Sequence, residues 1–152
     1  MVLSPSEKFV YVVNELKSFV TVFSRDAHNG GLEPIQSASM LPEGFSGENA
    51  PAEILIDRAG KHIYASNRGH GSIAVFSIDP GSGKLTRVQI AEVGAVPRGV
   101  EIDPSGRLLF AGDQKGNSFK TFHIDAISGK LTPTGQSWEL PTPVAFYFVP
   151  AK

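Results

Sequence analysis

The chain has 152 residues, 41% of them hydrophobic, which is enough for one domain with a sizeable core and indicates neither disorder nor a membrane span. Its formal charge of -1, from interspersed acidic and basic residues, excludes a broad field for gripping nucleic acid or an anionic bilayer. There is no cysteine, which excludes disulfide scaffolds, thiolate metal sites and thiol nucleophiles, and the run Met1 to Phe9 lacks the features of a signal peptide, so the expected compartment is the cytoplasm.

In chain order the sequence repeats. Leu3, Lys8, Tyr11, Asn14, Phe23, Asp26, Gly30 and Leu32 of a first copy recur as Ile56, Lys61, Tyr64, Asn67, Phe76, Asp79, Gly83 and Leu85. A third copy carries Ile102, Arg107, Phe110, Asp113, Phe122, Asp125, Gly129 and Leu131. The offsets stay at 53 and then 46 residues, and the seven extra residues of the first copy fall in the Gly-, Pro-, Ser- and Asn-rich segment from Ser39 to Asn49. Within each copy, short runs rich in Val, Ile, Phe and Tyr alternate with turn residues, which is a strand pattern. In the central copy the strands are expected near Ala52–Ile56, His62–Ser66, Ile73–Ile78 and Arg87–Glu92, with almost no helix anywhere. Runs such as Ile73 to Phe76 are apolar at successive positions, as in sheets covered on both faces.

A four-stranded repeat of 40 to 50 residues, buried on both sides, describes a β-propeller blade. The expected fold is therefore all-β. A single partial propeller domain over 1–152 would hold three four-stranded antiparallel blades, at about 1–49, 50–96 and 97–142, in an incomplete ring. Pro51 aligns with Pro97 and Pro143, so a lone strand of a fourth copy is expected over 143–150. Met1 aligns with Ile54, inside a first strand, and both ends read as those of an excerpt. Propellers close with about four to eight blades. Two open blade faces would forgo more stabilisation than the usual net stability of about 5–15 kcal/mol, so the chain is expected to be unstable, aggregated or associated through those faces.

In an antiparallel meander the turns between first and second strands, and between third and fourth, share one side of the ring and are formulaic here. The other side carries the divergent, charged loops around Asn14-Glu15, Asn67-Arg68 and Asp113-Gln114, with Glu53, Arg98 and the Met40–Asn49 insertion, and this is where a scaffold places function. The Gly81 to Leu85 run lacks the strand-to-helix setting of a phosphate loop and reads as a turn. Asp79 and Asp125 read as Asx-turn residues rather than calcium ligands. His28, His62, His70 and His123 show no metal spacing, so no metal site is expected. Glu15 and Arg68 sit one position apart in the repeat frame, on the loops of neighbouring blades. They could act as general base and oxyanion or substrate-anion binder, or form a surface ion pair of little consequence. His70 is a candidate substrate contact or an exposed turn residue. Glu53 and Arg98 would line the channel mouth as substrate contacts or structural ion-pair partners.

Several phrases together resemble a known family: Tyr11 to Leu16, Gly47-Glu48-Asn49 leading to Ala52-Glu53-Ile54, Ala65 to His70, Pro97-Arg98-Gly99 and Ile102 to Gly106. They are similar to the lactonase family of seven-bladed propellers, which includes 6-phosphogluconolactonase-like proteins and the fungal carboxymuconate cyclase. The resemblance spans essentially the whole chain and corresponds to the family's C-terminal part. It implies cofactor-free chemistry on lactone rings, with Arg, His and Glu residues around the central channel. Glu15 corresponds to the family's Asn-Glu-Leu glutamate and Arg68 to one of its arginines. A Pro-Arg-His arginine and a histidine from an earlier blade fall outside this chain, so the resemblance implies part of a site. The intact form would hydrolyse a sugar-acid lactone, 6-phosphogluconolactone being the leading candidate. The alternative is a non-catalytic segment or binding module acting by self-assembly, with a second copy or preceding blades on the open faces.

Overall fold

In a computed structural model, which describes residues 1–149, every regular element is a strand. The first sheet runs β1 (Val2–Leu3), β2 (Phe9–Asn14), β3 (Phe19–Arg25) and β4 (Leu32–Ser39). The second contains β5 (Ala50–Ile56), β6 (His62–Arg68), β7 (Ser72–Ile78) and β8 (Leu85–Glu92). The third contains β9 (Pro97–Ile102), β10 (Leu108–Asp113), β11 (Ser118–Ile124) and β12 (Leu131–Glu139). All three are antiparallel meanders whose first strands β1, β5 and β9 meet side by side. The sheets fan from that line as successive propeller blades, and the ring does not close.

Two hydrophobic cores lie between the blades. Ile63, Ala65, Ala74 and Phe76 of the central blade pack on Tyr11, Val20 and Val22 of the first. The residues between them, Tyr64, Ile73 and Val75, pack on Val100, Leu109 and Phe122 of the third. Successive strand residues point to opposite faces, so a blade buried on both sides must be apolar at consecutive positions. In the central blade, β6 and β7 are buried on both faces over most of their length.

Polar connectors repeat with the blades. Tyr11 donates its hydroxyl proton to the Gly83 carbonyl at 3.1 Å, and Tyr64 does the same to Gly129 at 3.0 Å. Gln36 exchanges two hydrogen bonds with the backbone of Leu85, at 2.9 and 2.6 Å, and Gln89 exchanges two with Leu131, at 3.0 and 2.7 Å. The third blade carries Phe110 and Gly135 at these positions, so neither connector recurs on its outer face. Aromatic packing takes its place: Phe110 lies 5.1 Å from Phe148 between ring centroids, and Phe119 lies 4.8 Å from Trp138 and 5.6 Å from Phe146.

The structure differs from the sequence expectation over the last segment. Residues 143–149 adopt no hydrogen-bonded strand, and Pro150 lies outside the described residues. The segment nevertheless runs alongside β9: a Cβ at Gly99 would lie 2.6 Å from the Val144 carbonyl oxygen. A first strand of a blade is held by its second strand, and no such partner is present among the described residues. The segment therefore occupies the place of a strand without its ladder.

Candidate active site

A cavity of about 300 Å³ opens beside the line of first strands, lined by Glu15, Pro51, Ala52, Glu53, Arg68, Arg98 and Val144. Its charged residues come from three blades, and all reach it from the side of the divergent loops. Glu15 occupies the turn after β2, Arg68 the end of β6, and Glu53 and Arg98 the starts of β5 and β9.

The first strands are shaped to aim side chains here. In β5, Pro51 pairs with Asn67 and Ile54 with Ala65, so Ala52 and Glu53 stand opposite Ser66 alone. The Glu53 amide, displaced from the ladder, donates instead to Ser66 Oγ at 3.0 Å. In β9, Pro97 pairs with Asp113 and Gly99 with Gly112, which leaves Arg98 as the extra residue. These are β-bulges at the same place in two blades, and a bulge re-aims the side chain of its unpaired residue.

Arg68 is partly buried and tightly held. Its Nε donates to the Ala50 carbonyl at 2.8 Å, while Nη2 donates to Glu15 Oε1 and, at 3.4 Å, to the Pro51 carbonyl. The guanidinium thus spends three donors on protein and keeps Nη1 for the cavity. Glu15 is more exposed, with 59% of its side chain accessible against 19% for Arg68, so the pair lies at the wall of the cavity with its carboxylate facing solvent. Glu53 and Arg98 make no ion pair among the described residues, although ion pairing was the conservative reading for both.

His70 is not brought to this cavity. The strand ends at Arg68, and the turn Gly69-His70-Gly71 carries the ring to a separate cleft with Glu92 and Lys120. There its Nδ1 lies 2.8 Å from Ser72 Oγ and its ring meets Phe45 edge-on at 4.9 Å. Next to it is a polar network that sequence reasoning missed. Asn67, wholly buried, donates to the Met40 carbonyl at 2.9 Å and accepts from Asn49 Nδ2 at 2.9 Å. Asn49 also accepts from the His70 amide at 3.2 Å, tying the Met40–Asn49 insertion to β6. The Gly47-Glu48-Asn49 phrase was the available signal, since an asparagine in a loop usually serves backbone donors nearby.

The supporting turns have the expected chemistry. Asp79 and Asp125 each accept from a serine amide three residues on, Ser82 and Ser128, both at 2.7 Å. Asp113 holds the loop into β9, accepting from the amides of Ala95 and Val96 at 2.9 and 3.0 Å and of Gly116 at 3.0 Å. Burial pushes its acidity down, but these amide donors outweigh that and hold its carboxyl below the usual carboxylate range.

The model of the family described as "Lactonase, 7-bladed beta-propeller" matches residues 1–148. The chain belongs to the lactonase propeller family. Among solved structures it is similar to a periplasmic gluconolactonase from Pseudomonas aeruginosa, with a TM-score of 0.88 and 30% identity, covering 93% of this chain and 39% of that one. A candidate 6-phosphogluconolactonase from Bacteroides uniformis matches with a TM-score of 0.85 and 33% identity over 94% of this chain and 40% of its own. An uncharacterized protein of Lactococcus lactis subsp. cremoris is 39% identical over 95 residues, 62% of this chain and 28% of that protein. This lactonase-family chain therefore spans about two fifths of the length of the solved structures it matches.

Proposed function

We propose that this segment contributes to a lactone-hydrolysing site in a propeller acting on a sugar-acid lactone, with 6-phosphogluconolactone as the leading substrate. The observation that carries the reading is the Glu15–Arg68 pair, fixed across two blades against one cavity. The similarity to a gluconolactonase supports the same class of substrate.

Hydrolysis requires water to attack the ring carbonyl, a base to take its proton, and a donor for the oxyanion that forms. Glu15 would orient or deprotonate the water, and the open Nη1 of Arg68 would meet the developing oxyanion. Collapse of the tetrahedral intermediate then breaks the ring C–O bond, and the departing alkoxide takes up a proton to give the hydroxy acid. Glu53, aimed inward by its bulge, offers a carboxylate to sugar hydroxyls.

The test is proton release from 6-phosphogluconolactone in a pH-stat, comparing the propeller that carries this segment with its Glu15→Gln variant. A general base contributes roughly 10²–10⁴-fold, so the variant should lose a large part of kcat. An unchanged kcat would sink the assignment.

A further inference from the structure

The lactonase reading leaves the two arginines of the cavity with different jobs, and the structure assigns Arg98 the recognition of an anionic substituent on the substrate, its terminal phosphate or carboxylate. The inference rests on that reading for the sugar-acid scaffold, and on the geometry of Arg98 for the anion.

Arg68 is poorly suited to a second role. Three of its five donors are committed to Glu15 and the carbonyls of Ala50 and Pro51, so its orientation is fixed and its charge is matched by a carboxylate. Arg98 shares the cavity and has no hydrogen-bond or ion-pair partner among the described residues, which leaves all five donors of its fork for a ligand. A guanidinium of this kind matches an oxyanion in a bidentate pair, the geometry that separates phosphate and carboxylate from neutral hydroxyls.

The repeat frame shows that this is a placed charge. Arg98 is the extra residue of the bulge in β9, and the aligned residues are Ala52 of β5 and Val144 of the segment that runs beside β9. All three line the same cavity. Of these three aligned residues, Ala52 and Val144 offer small or apolar side chains and Arg98 puts a cation there. The loop before it is pinned by Asp113 through the amides of Ala95 and Val96, so the approach of β9 to the cavity is fixed. Of the other charged groups facing the cavity, Glu15 is neutralised by Arg68, and Glu53 makes no ion pair with Arg98. An incoming oxyanion therefore has no bound carboxylate to displace from Arg98.

The inference is tested by calorimetric titration of the 152-residue chain with 6-phosphogluconate, glucarate and gluconate, which carry a terminal phosphate, carboxylate and hydroxyl respectively. Arg98→Ala, Arg98→Lys and Glu15→Gln are titrated alongside, with circular dichroism confirming matched folds. The wild type should bind at least one of the doubly anionic acids on the order of 10-fold tighter than gluconate or more. Which of the two is preferred distinguishes phosphate from carboxylate. Arg98→Ala should lower that acid to the gluconate level, and Arg98→Lys should restore part of the preference. Equal binding of all three acids by the wild type, no binding of any, or an undiminished preference in Arg98→Ala overturns the assignment. Failure of the lactonase reading gives a different pattern: the preference persists in the wild type and in Glu15→Gln, while the propeller that carries this segment opens no lactone.

Discussion

Tyr64 donates its hydroxyl proton to the Gly129 carbonyl of the next blade at 3.0 Å, from a side chain with no solvent exposure. Burial, with smaller contributions from Asp57 and Asp125, raises its pKa well above the ordinary value, and burial alone raises that of Tyr11 to about 12. Both phenols therefore remain donors throughout the physiological range. Replacing Tyr64 by Phe leaves the Gly129 carbonyl without its partner, at a cost of about 1–3 kcal/mol. Thermal melts should show Tm lowered by roughly 2–4 °C for each kcal/mol. The reverse change at the aligned position, Phe110→Tyr, has no acceptor across an interface and should give no gain. Equal melting of Tyr64→Phe and the wild type would remove the connector from the account.

The first blade's outer face resembles an interface with one side missing. Leu32 is 46% exposed, whereas its counterparts Leu85 and Leu131, covered by the preceding blade, are 5% and 3% exposed. We expect the chain to associate through this face in a concentration-dependent way, and light scattering should show mass rising with concentration. A Leu32→Glu variant should shift the distribution towards monomer. Association should be weak, because Phe110 and Gly135 on the opposite outer face lack the connectors that bind blades within the chain. A single folded monomer at every concentration contradicts the expectation.

The fold was legible because a blade repeats a contact problem as well as a sequence. Tyr11 and Tyr64, or Leu85 and Leu131, occupy matching environments, so composition recurs at fixed offsets and marks the strands to within about two residues in the central blade. The connectors formed by Gln36 and Gln89 were not legible. A polar residue on an outer strand normally faces solvent, and only the approach of a neighbouring backbone shows that these do not. The proximity of Glu15 and Arg68 followed from the repeat frame, but the anchoring of Arg68 on the Ala50 and Pro51 carbonyls is a backbone contact without a sequence signature. His70 shows how little adjacency fixes position: two residues beyond Arg68, after the end of a strand, the chain has already turned to another cleft.

Asp113 gives the stability a pH signature. Burial raises its pKa, but bonds from the amides of Gly116, Val96, Ala95 and Lys115 together lower it. A carboxylate depressed in the folded state stabilises above its unfolded pKa, about 3.9, and that contribution is lost as pH falls through the folded value. Asp113→Asn keeps the shape but removes the charge that three amides share. It should be less stable at pH 7 by about 1–2 kcal/mol, with the gap to the wild type narrowing below about pH 4. Melting curves of both proteins from pH 7 to pH 3 measure this. A gap independent of pH would show that the carboxylate's charge is not what holds the loop before β9.

Gly69 explains why a glycine stands between Arg68 and His70. Its φ is +116°, and a Cβ there would lie 2.2 Å from the Glu48 carbonyl oxygen, a backbone atom. Gly69→Ala must displace the Met40–Asn49 insertion and loosen the Asn49 bonds to Asn67 and the His70 amide. The backbone conformation alone should cost about 1–3 kcal/mol. Hydrogen exchange should speed up at the His70 amide and remain unchanged in β10 and β11. Unaltered protection at His70 would mean that the insertion accommodates a side chain.

Arg68→Lys separates charge from geometry at the cavity wall. Lysine keeps the positive charge, but its single ammonium cannot reach the Ala50 carbonyl, hold Glu15 and present a free donor in one plane, as the guanidinium does. Glu15 would then lose its fixed position and the oxyanion its aligned donor, and each oxyanion donor is worth roughly 10²–10³-fold in kcat. In the lactone-hydrolysis assay the variant should lose kcat on that order. Its KM should change little, because the substrate's own anionic group is assigned to Arg98. A variant that raises KM and leaves kcat intact would exchange the two roles, making Arg68 the binder of the substituent and leaving the oxyanion to another donor.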